Sequence, residues 1–121
     1  MAQGLLQEKV ALITGAAAGI GEATAQLFAE HGAHVFILDV NRQGGAAVAA
    51  AIRAKGGSAF AFAADVRRRD TIVPAVQDAL ARFGRIDILI NNAGVYPRQS
   101  FLEMTEKEWD DMQEVNLKGV F

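Results

Sequence analysis

The sequence predicts an α/β fold in three layers: a parallel sheet of about four strands, order 3-2-1-4, flanked by helices. Three observations carry this. Short apolar runs alternate with stretches whose apolar residues recur at helical spacing, the pattern of successive βαβ units. A glycine-rich segment, Gly15 to Gly21, joins the first run directly to the first helical stretch. The connections are short, and right-handed crossovers leave few topologies. In the favoured one the first half winds one way and the fourth strand lies on the other side of the first.

Each element has its own signal. Val10 to Thr14 is a buried strand by length and composition. Ile20, Thr24, Leu27, Phe28 and His31 mark one face of the first helix, which Gly32 stops. Val35 to Leu38 form the second strand, closing in Asp39. The second helix spans about Gly44 to Lys55, with Val48 and Ile52 on one face, and Gly56-Gly57 end it. Ser58 to Ala63 is the third strand. Asp70 is the expected N-cap of the third helix, with Ile72, Val76, Leu80 and Phe83 on one face and Gly84 as stop. Pro74 is expected to be tolerated in its first turn. Ile86 to Ile90 make the fourth strand, followed by a loop through Pro97. Thr105 and Glu108 form a capping box that opens a fourth helix, with Trp109, Met112 and Val120 on its buried side.

Composition bounds the function. A chain of 121 residues is one domain by size, and 51% hydrophobic against 21% charged residues excludes disorder. With no cysteine there is no disulfide framework and no cysteine nucleophile or metal site; two histidines are too few for a His-rich metal centre. A net charge of −2 argues against a nucleic-acid partner. No apolar run approaches the ~20 residues of a membrane span, and Met1 to Gly4 lack a signal-peptide pattern. A soluble cytoplasmic protein is expected, with residues 1–8 a loose tail. The last helical pattern is still in register at Val120-Phe121, and the fourth strand is wholly apolar. Both features suggest that further strands follow, or that another chain covers this edge.

The strongest chemical signal is Thr14-Gly15-Ala16-Ala17-Ala18-Gly19-Ile20-Gly21. Gly15 permits a tight turn, Gly19 lets a pyrophosphate approach the backbone, and Gly21 allows helix and sheet to pack closely. The free amides of Ala17, Ala18 and Ile20 at the helix start then face phosphates. Asp39, 24 residues after Gly15, can accept hydrogen bonds from both hydroxyls of an adenosine ribose and would repel a 2′-phosphate. This favours NAD over NADP, although Arg42 supplies a nearby positive charge. The other reading of Asp39 is that it simply starts the next turn.

Asp65 ends the third strand, where it could accept from an adenine amino group or cap a turn; Val66 could cover one face of the ring. Arg67-Arg68-Arg69 is most simply a solvated turn. Asn91-Asn92-Ala93-Gly94 follows the fourth strand at its C-terminal end, where ligands sit in open α/β sheets. Its asparagines can fix the loop backbone, and Ala93 and Gly94 leave room beside a ribose. Asn116 is a mid-helix asparagine, mildly unfavourable there: either functional or a harmless surface residue.

Taken in order, these pieces, with Asn116-Leu117-Lys118-Gly119, resemble the short-chain dehydrogenase/reductase family from about Lys9 to Phe121. The resemblance implies a Rossmann-type dinucleotide-binding domain, partial, over residues 9–121. It implies that the glycine motif binds the diphosphate, that Asp39 selects NAD and that Asp65 contacts adenine. Asn91 resembles the residue that stabilises the central sheet and the adenosine side. Asn116 looks like the catalytic Asn, holding a water of the proton relay through its helix carbonyl. The family's catalytic Ser and Tyr-x-x-x-Lys come after this chain stops. The single tyrosine is Tyr96, and Lys118 is not four residues from it.

Two functional readings follow. One is the NAD-binding portion of an oxidoreductase that moves hydride between a nicotinamide and a small alcohol or carbonyl substrate. The other is a non-enzymatic half-domain that folds, self-associates and at most binds a nucleotide. A flavodoxin-like mononucleotide binder is disfavoured by Asp39. A homo-oligomer is expected in either main reading.

Overall fold

The computed structural model describes residues 4–121. The strands are β1 (Val10–Thr14), β2 (His34–Asp39), β3 (Ser58–Ala63) and β4 (Ile88–Ile90). The helices are α1 (Gly19–Glu30), α2 (Arg42–Ala54), α3 (Arg69–Phe83) and α4 (Glu106–Gln113). The sheet runs β3-β2-β1-β4 with every pair parallel, as the sequence predicts.

β1 and β2 are the centre of the core because both of their faces are covered. Successive side chains point to opposite faces. Ile13, Val35 and Ile37 meet Ala25 of α1 and Val48, Ala49 and Ile52 of α2 on one side. Val10, Leu12, Phe36 and Leu38 meet Ala75 and Ala79 of α3 on the other. Phe36 stacks on Phe60 at 5.0 Å and presents an edge contact to Phe83 at 6.1 Å. The alanines facing the sheet let these helices approach closely.

Several boundaries differ from expectation, each for a local reason. α2 begins at Arg42 because the Asn41 side chain caps it, accepting from the Gly44 N–H at 2.9 Å. Asp70 is not the N-cap of α3; Arg68 is, without a side-chain cap bond, and Asp70 sits in the first turn. The Thr71 hydroxyl anchors this end instead, accepting from the Asp65 N–H at 2.9 Å and lying 2.7 Å from the Arg68 carbonyl. Pro74 lies beyond the first turn, so the Asp70 carbonyl lacks its usual helical donor. β4 is shorter than predicted, since Ile86 packs with the α3-side core before the strand starts.

The loose tail is corrected for residues 4–8. The Leu6 N–H donates to the His31 carbonyl at 2.9 Å, Glu8 N–H to the Gly32 carbonyl at 3.1 Å, and Leu6 packs on the core. Residues 1–3 lie outside the described residues.

The fourth helix forms its capping box as predicted, with Thr105 accepting from Glu108 N–H at 3.2 Å and the Glu108 carboxylate accepting from Thr105 N–H at 2.8 Å. It does not run on to Phe121. After Gln113 the chain widens into a π-helical turn, Glu114–Lys118, closed by a bond from the Gly119 N–H to the Glu114 carbonyl. Trp109 and Val120, expected on a buried side, are about half exposed, because no described element packs over that face. No described helix is long and apolar enough to cross a membrane.

Candidate functional site

The C-terminal end of β1 faces the point where the chain order reverses. The chain goes from β1 to β2 and β3 on one side, and β4 returns on the other. Such a switch point leaves a crevice outside the strand ends. The residues singled out in the sequence gather around it.

Gly15 turns the chain away from β1 with φ +67°, and its N–H donates to the Leu38 carbonyl at 2.8 Å. A Cβ at this position would lie 2.9 Å from the Ala93 Cα, so the loop after β4 presses directly on it. A Cβ on Gly21 would overlap the Gly15 carbonyl oxygen and approach Asn92 Nδ2 at 2.5 Å. These two glycines are required by close packing. Gly19 differs: its φ is +59°, yet a Cβ there would meet nothing within 4 Å. It borders open space, where a ligand backbone could pass. Ala18 is the N-cap of α1 and makes no side-chain cap bond, leaving first-turn amides without a side-chain acceptor. Ile20, predicted on the buried helix face, is 80% exposed beside this opening, because it lies in the first turn, away from the sheet. Open space, positive-φ glycine and uncapped amides together fit a dinucleotide diphosphate.

Asp39 ends β2 and reaches back to the same loop. Its carboxylate accepts from the Ala17 N–H at 3.0 Å and the Asn41 N–H at 2.9 Å. The acid thus fixes the glycine loop and opens the next turn, and it takes the Ala17 amide that was expected to face phosphates. The carboxylate stays part-exposed at the crevice rim.

The loop after β4 is tied down by Asn92, not by Asn91. Asn92 Nδ2 donates to the Thr14 and Gly15 carbonyls, both at 3.1 Å. The Thr14 hydroxyl, at a nearly buried position, accepts from the Asn92 N–H at 3.1 Å and the Ala93 N–H at 3.0 Å. Asn91 itself is exposed. It follows β4 directly, and the side-chain bonds that tie this loop to β1 are made by its neighbour Asn92. Asn116 lies in the π-helical turn, a feature frequent at functional sites. Its side chain grips Val95 twice: Oδ1 accepts from the Val95 N–H at 2.8 Å and Nδ2 donates to the Val95 carbonyl at 2.7 Å. Gly94 leaves the space for this approach, since a Cβ there would sit 3.3 Å from Asn116 Oδ1.

Asp65, at the turn between β3 and α3, is held by Arg67 rather than left free. Arg67 Nε and Nη2 reach its two oxygens, at 2.8 Å for Nη2 to Oδ2. The Arg67 guanidinium bonds hold its carboxyl below the usual aspartate range, against a smaller opposing effect of burial. Val66 lies against Gly119. The sequence does not single out Thr14, Asn92 or Arg67 individually as site residues. A hydroxyl-bearing residue closing an otherwise apolar strand is the signal that points to Thr14. A separate groove lies between α1 and α2 near Gln26, Ala29, Ile52 and Gly57, at the opposite end of the sheet. It contains none of the residues above.

Comparison with known proteins agrees with this geometry. The family model described as short chain dehydrogenase matches residues 9–121.

The chain belongs to the short chain dehydrogenase family. It is 40% identical to the 3-oxoacyl-acyl-carrier-protein reductase FabG of Chlamydia muridarum, over 97% of this chain and 48% of that protein. It is 41% identical to D-threitol dehydrogenase of Mycolicibacterium smegmatis, over 96% of this chain and 45% of that protein. Among solved structures, the 3-ketoacyl-acyl-carrier-protein reductase of Brucella melitensis, complexed with NADH, superposes with a TM-score of 0.87 at 43% identity, over 95% of this chain and 47% of that one. The chain spans about half the length of the curated relatives it matches. It is the nucleotide-binding portion of a short chain dehydrogenase fold.

Proposed function

We propose that this chain binds NAD in preference to NADP, as part of an oxidoreductase acting on a small alcohol or carbonyl compound. The observation that carries the cofactor reading is Asp39, whose carboxylate is fixed at the crevice rim by the Ala17 and Asn41 amides. A carboxylate held there suits two ribose hydroxyls and repels a 2′-phosphate. The chemistry that a bound nicotinamide dinucleotide supplies is hydride transfer.

In this reading the amides at the start of α1 hold the diphosphate beside Gly19, while Asp39 orients the adenosine ribose. Asp65 and Val66 receive the adenine. Ala93 and Gly94 border the second ribose, and Asn91, exposed next to them, is in reach of the adenosine side. Asn116 orders the loop at Val95, on the side where a substrate would enter. Tyr96 is 80% exposed in that loop and has no lysine four residues on, so proton transfer is not assigned to it. The test is competitive titration of NAD and NADP against the native chain and Asp39→Asn. Tighter NAD binding by the native chain, relaxed by the substitution, supports the reading. Equal binding of both dinucleotides by the native chain refutes it.

A homo-oligomer is part of the same proposal. Among the described residues β4 pairs only with β1, and Leu89 on it is 55% exposed. An apolar edge of this kind pairs with a second strand readily. Concentration-dependent sedimentation is the expected result, and a monomer at high concentration would contradict it.

A further inference from the structure

We propose that Arg67 is a positioning residue that couples adenine binding at the β3–α3 turn to the placement of α4. The inference rests on the reading of Asp65 as the adenine contact.

The turn at residues 65–67 touches the α4 region at two independent points. The first is charged. Arg67 lies between two carboxylates: Nη2 is 2.8 Å from Asp65 Oδ2, and Nη1 is 3.6 Å from Asp111 Oδ1 on α4. Lys107 Nζ closes the chain of charges at 2.7 Å from Asp111 Oδ2. The second point is apolar. A Cβ on Gly119, just past the π-helical turn, would fall 2.7 Å from Val66 Cγ2, so backbone and side chain are already in contact there. Between these two contacts lies Asn116, which holds the loop at Val95.

The geometry also explains how Arg67 would act on a ligand it does not touch. An ionised carboxylate offers about four acceptor positions. The backbone N–H of Arg67 takes one at 3.0 Å, and Nε and Nη2 take others. What remains points in a fixed direction, so Asp65 is oriented before an adenine amino group arrives. Isolated surface ion pairs contribute little, but here the Asp65 side chain is 18% exposed and the contact is bidentate within a four-charge network. A ligand that orders the turn therefore orders Arg67, and through Asp111 it steadies α4.

The experiment titrates the full chain and its variants with AMP, which carries the adenine end, and with nicotinamide mononucleotide, which does not. Hydrogen exchange of the α4 amides is followed alongside. Arg67→Gln is expected to weaken AMP roughly three- to tenfold, the scale of one charge-assisted contact, with nicotinamide mononucleotide unchanged. AMP should slow exchange in α4 of the native chain and fail to do so in Arg67→Gln. Asp111→Asn should keep AMP affinity within about twofold and lose the slowing, because it breaks only the far side of the link. Arg67→Lys, which keeps the charge without the fork, should fall between native and Gln. These two milder variants carry the test if Arg67→Gln does not fold. Native AMP affinity and native α4 slowing in the Arg67 and Asp111 variants, with Asp65→Ala weakened, would overturn the coupling and leave the adenine reading standing. Unchanged AMP affinity in Asp65→Ala would overturn both.

Discussion

The two sides of β1 are built differently. On one side β2 and β3 are paired along their lengths and packed between helices on both faces, and Val35 through Ile37 are inaccessible to solvent. On the other, β4 pairs over three residues, Leu89 stands half exposed, and α4 buries none of its residues. What holds the second side is mainly polar: Asn92 and Thr14 at the top of the sheet, Asn116 on Val95, and Arg67 on Asp111. Hydrophobic burial carries the β2–β3 half, and directional bonds carry the β4–α4 half. Burial gives stability, while directional bonds give position, which a ligand site requires.

The largest effect should come from the buried half. Phe36→Ala removes a fully buried ring from a stacked cluster and is expected to destabilise the fold by about 3–5 kcal/mol, measured by urea unfolding. A loss under about 1 kcal/mol would mean that this half is not the principal core. Next comes the junction between halves. Gly15→Ala forces a left-handed backbone on an L-residue and drives a Cβ toward Ala93; strain of roughly 1–2 kcal/mol plus that contact should lower the melting temperature and weaken NAD binding together. Asp39→Asn should act on the ligand more than on the fold: NAD weakened about tenfold, near 1.4 kcal/mol, with the discrimination against NADP reduced.

Acid should separate the halves by a different route. Asp87 accepts from the Val10 N–H at 2.8 Å and pairs with Arg85, and the Val10 amide first, then Arg85, hold its carboxyl below the usual aspartate range. Asp65 is depressed by Arg67. A depressed carboxyl contributes stability above its unfolded pKa, ~3.9, and that contribution is lost as pH falls through the folded value. Melting curves from pH 6 down to pH 3 should therefore drop steepest below about pH 4, and Asp87→Asn should flatten the drop. An unchanged acid limb in that variant would show that Asp87 does not anchor the start of β4. The smallest stability effect is expected for Leu89→Lys, within about 0.5 kcal/mol for an exposed position, with self-association reduced in sedimentation.

The contrast also explains what the sequence made legible. Strand order and the four helices could be read because apolar periodicity reports burial, and burial dominates the β2–β3 side. The glycine motif was legible because Gly15, Gly19 and Gly21 each answer a backbone demand. The α4 side is not legible in this way: periodicity places Trp109 and Val120 on a buried face and runs the helix to Phe121, whereas the helix opens into a π turn. No residue type announces that widening. Choosing between Asn91 and Asn92 depends on which side chain turns toward β1, and Arg67 is read as one solvated arginine of three until Asp111, 44 positions away, is brought beside it. Side-chain bonds between distant segments leave no period in the sequence.

The central claim is that the glycine loop and Asp39 form a binding site selective for NAD. Calorimetric titration of this chain with NAD and, separately, NADP tests it most directly. Saturable binding of NAD with clearly weaker binding of NADP is the expected result. Failure to bind either dinucleotide by a sample folded by circular dichroism, or tighter binding of NADP, would contradict it.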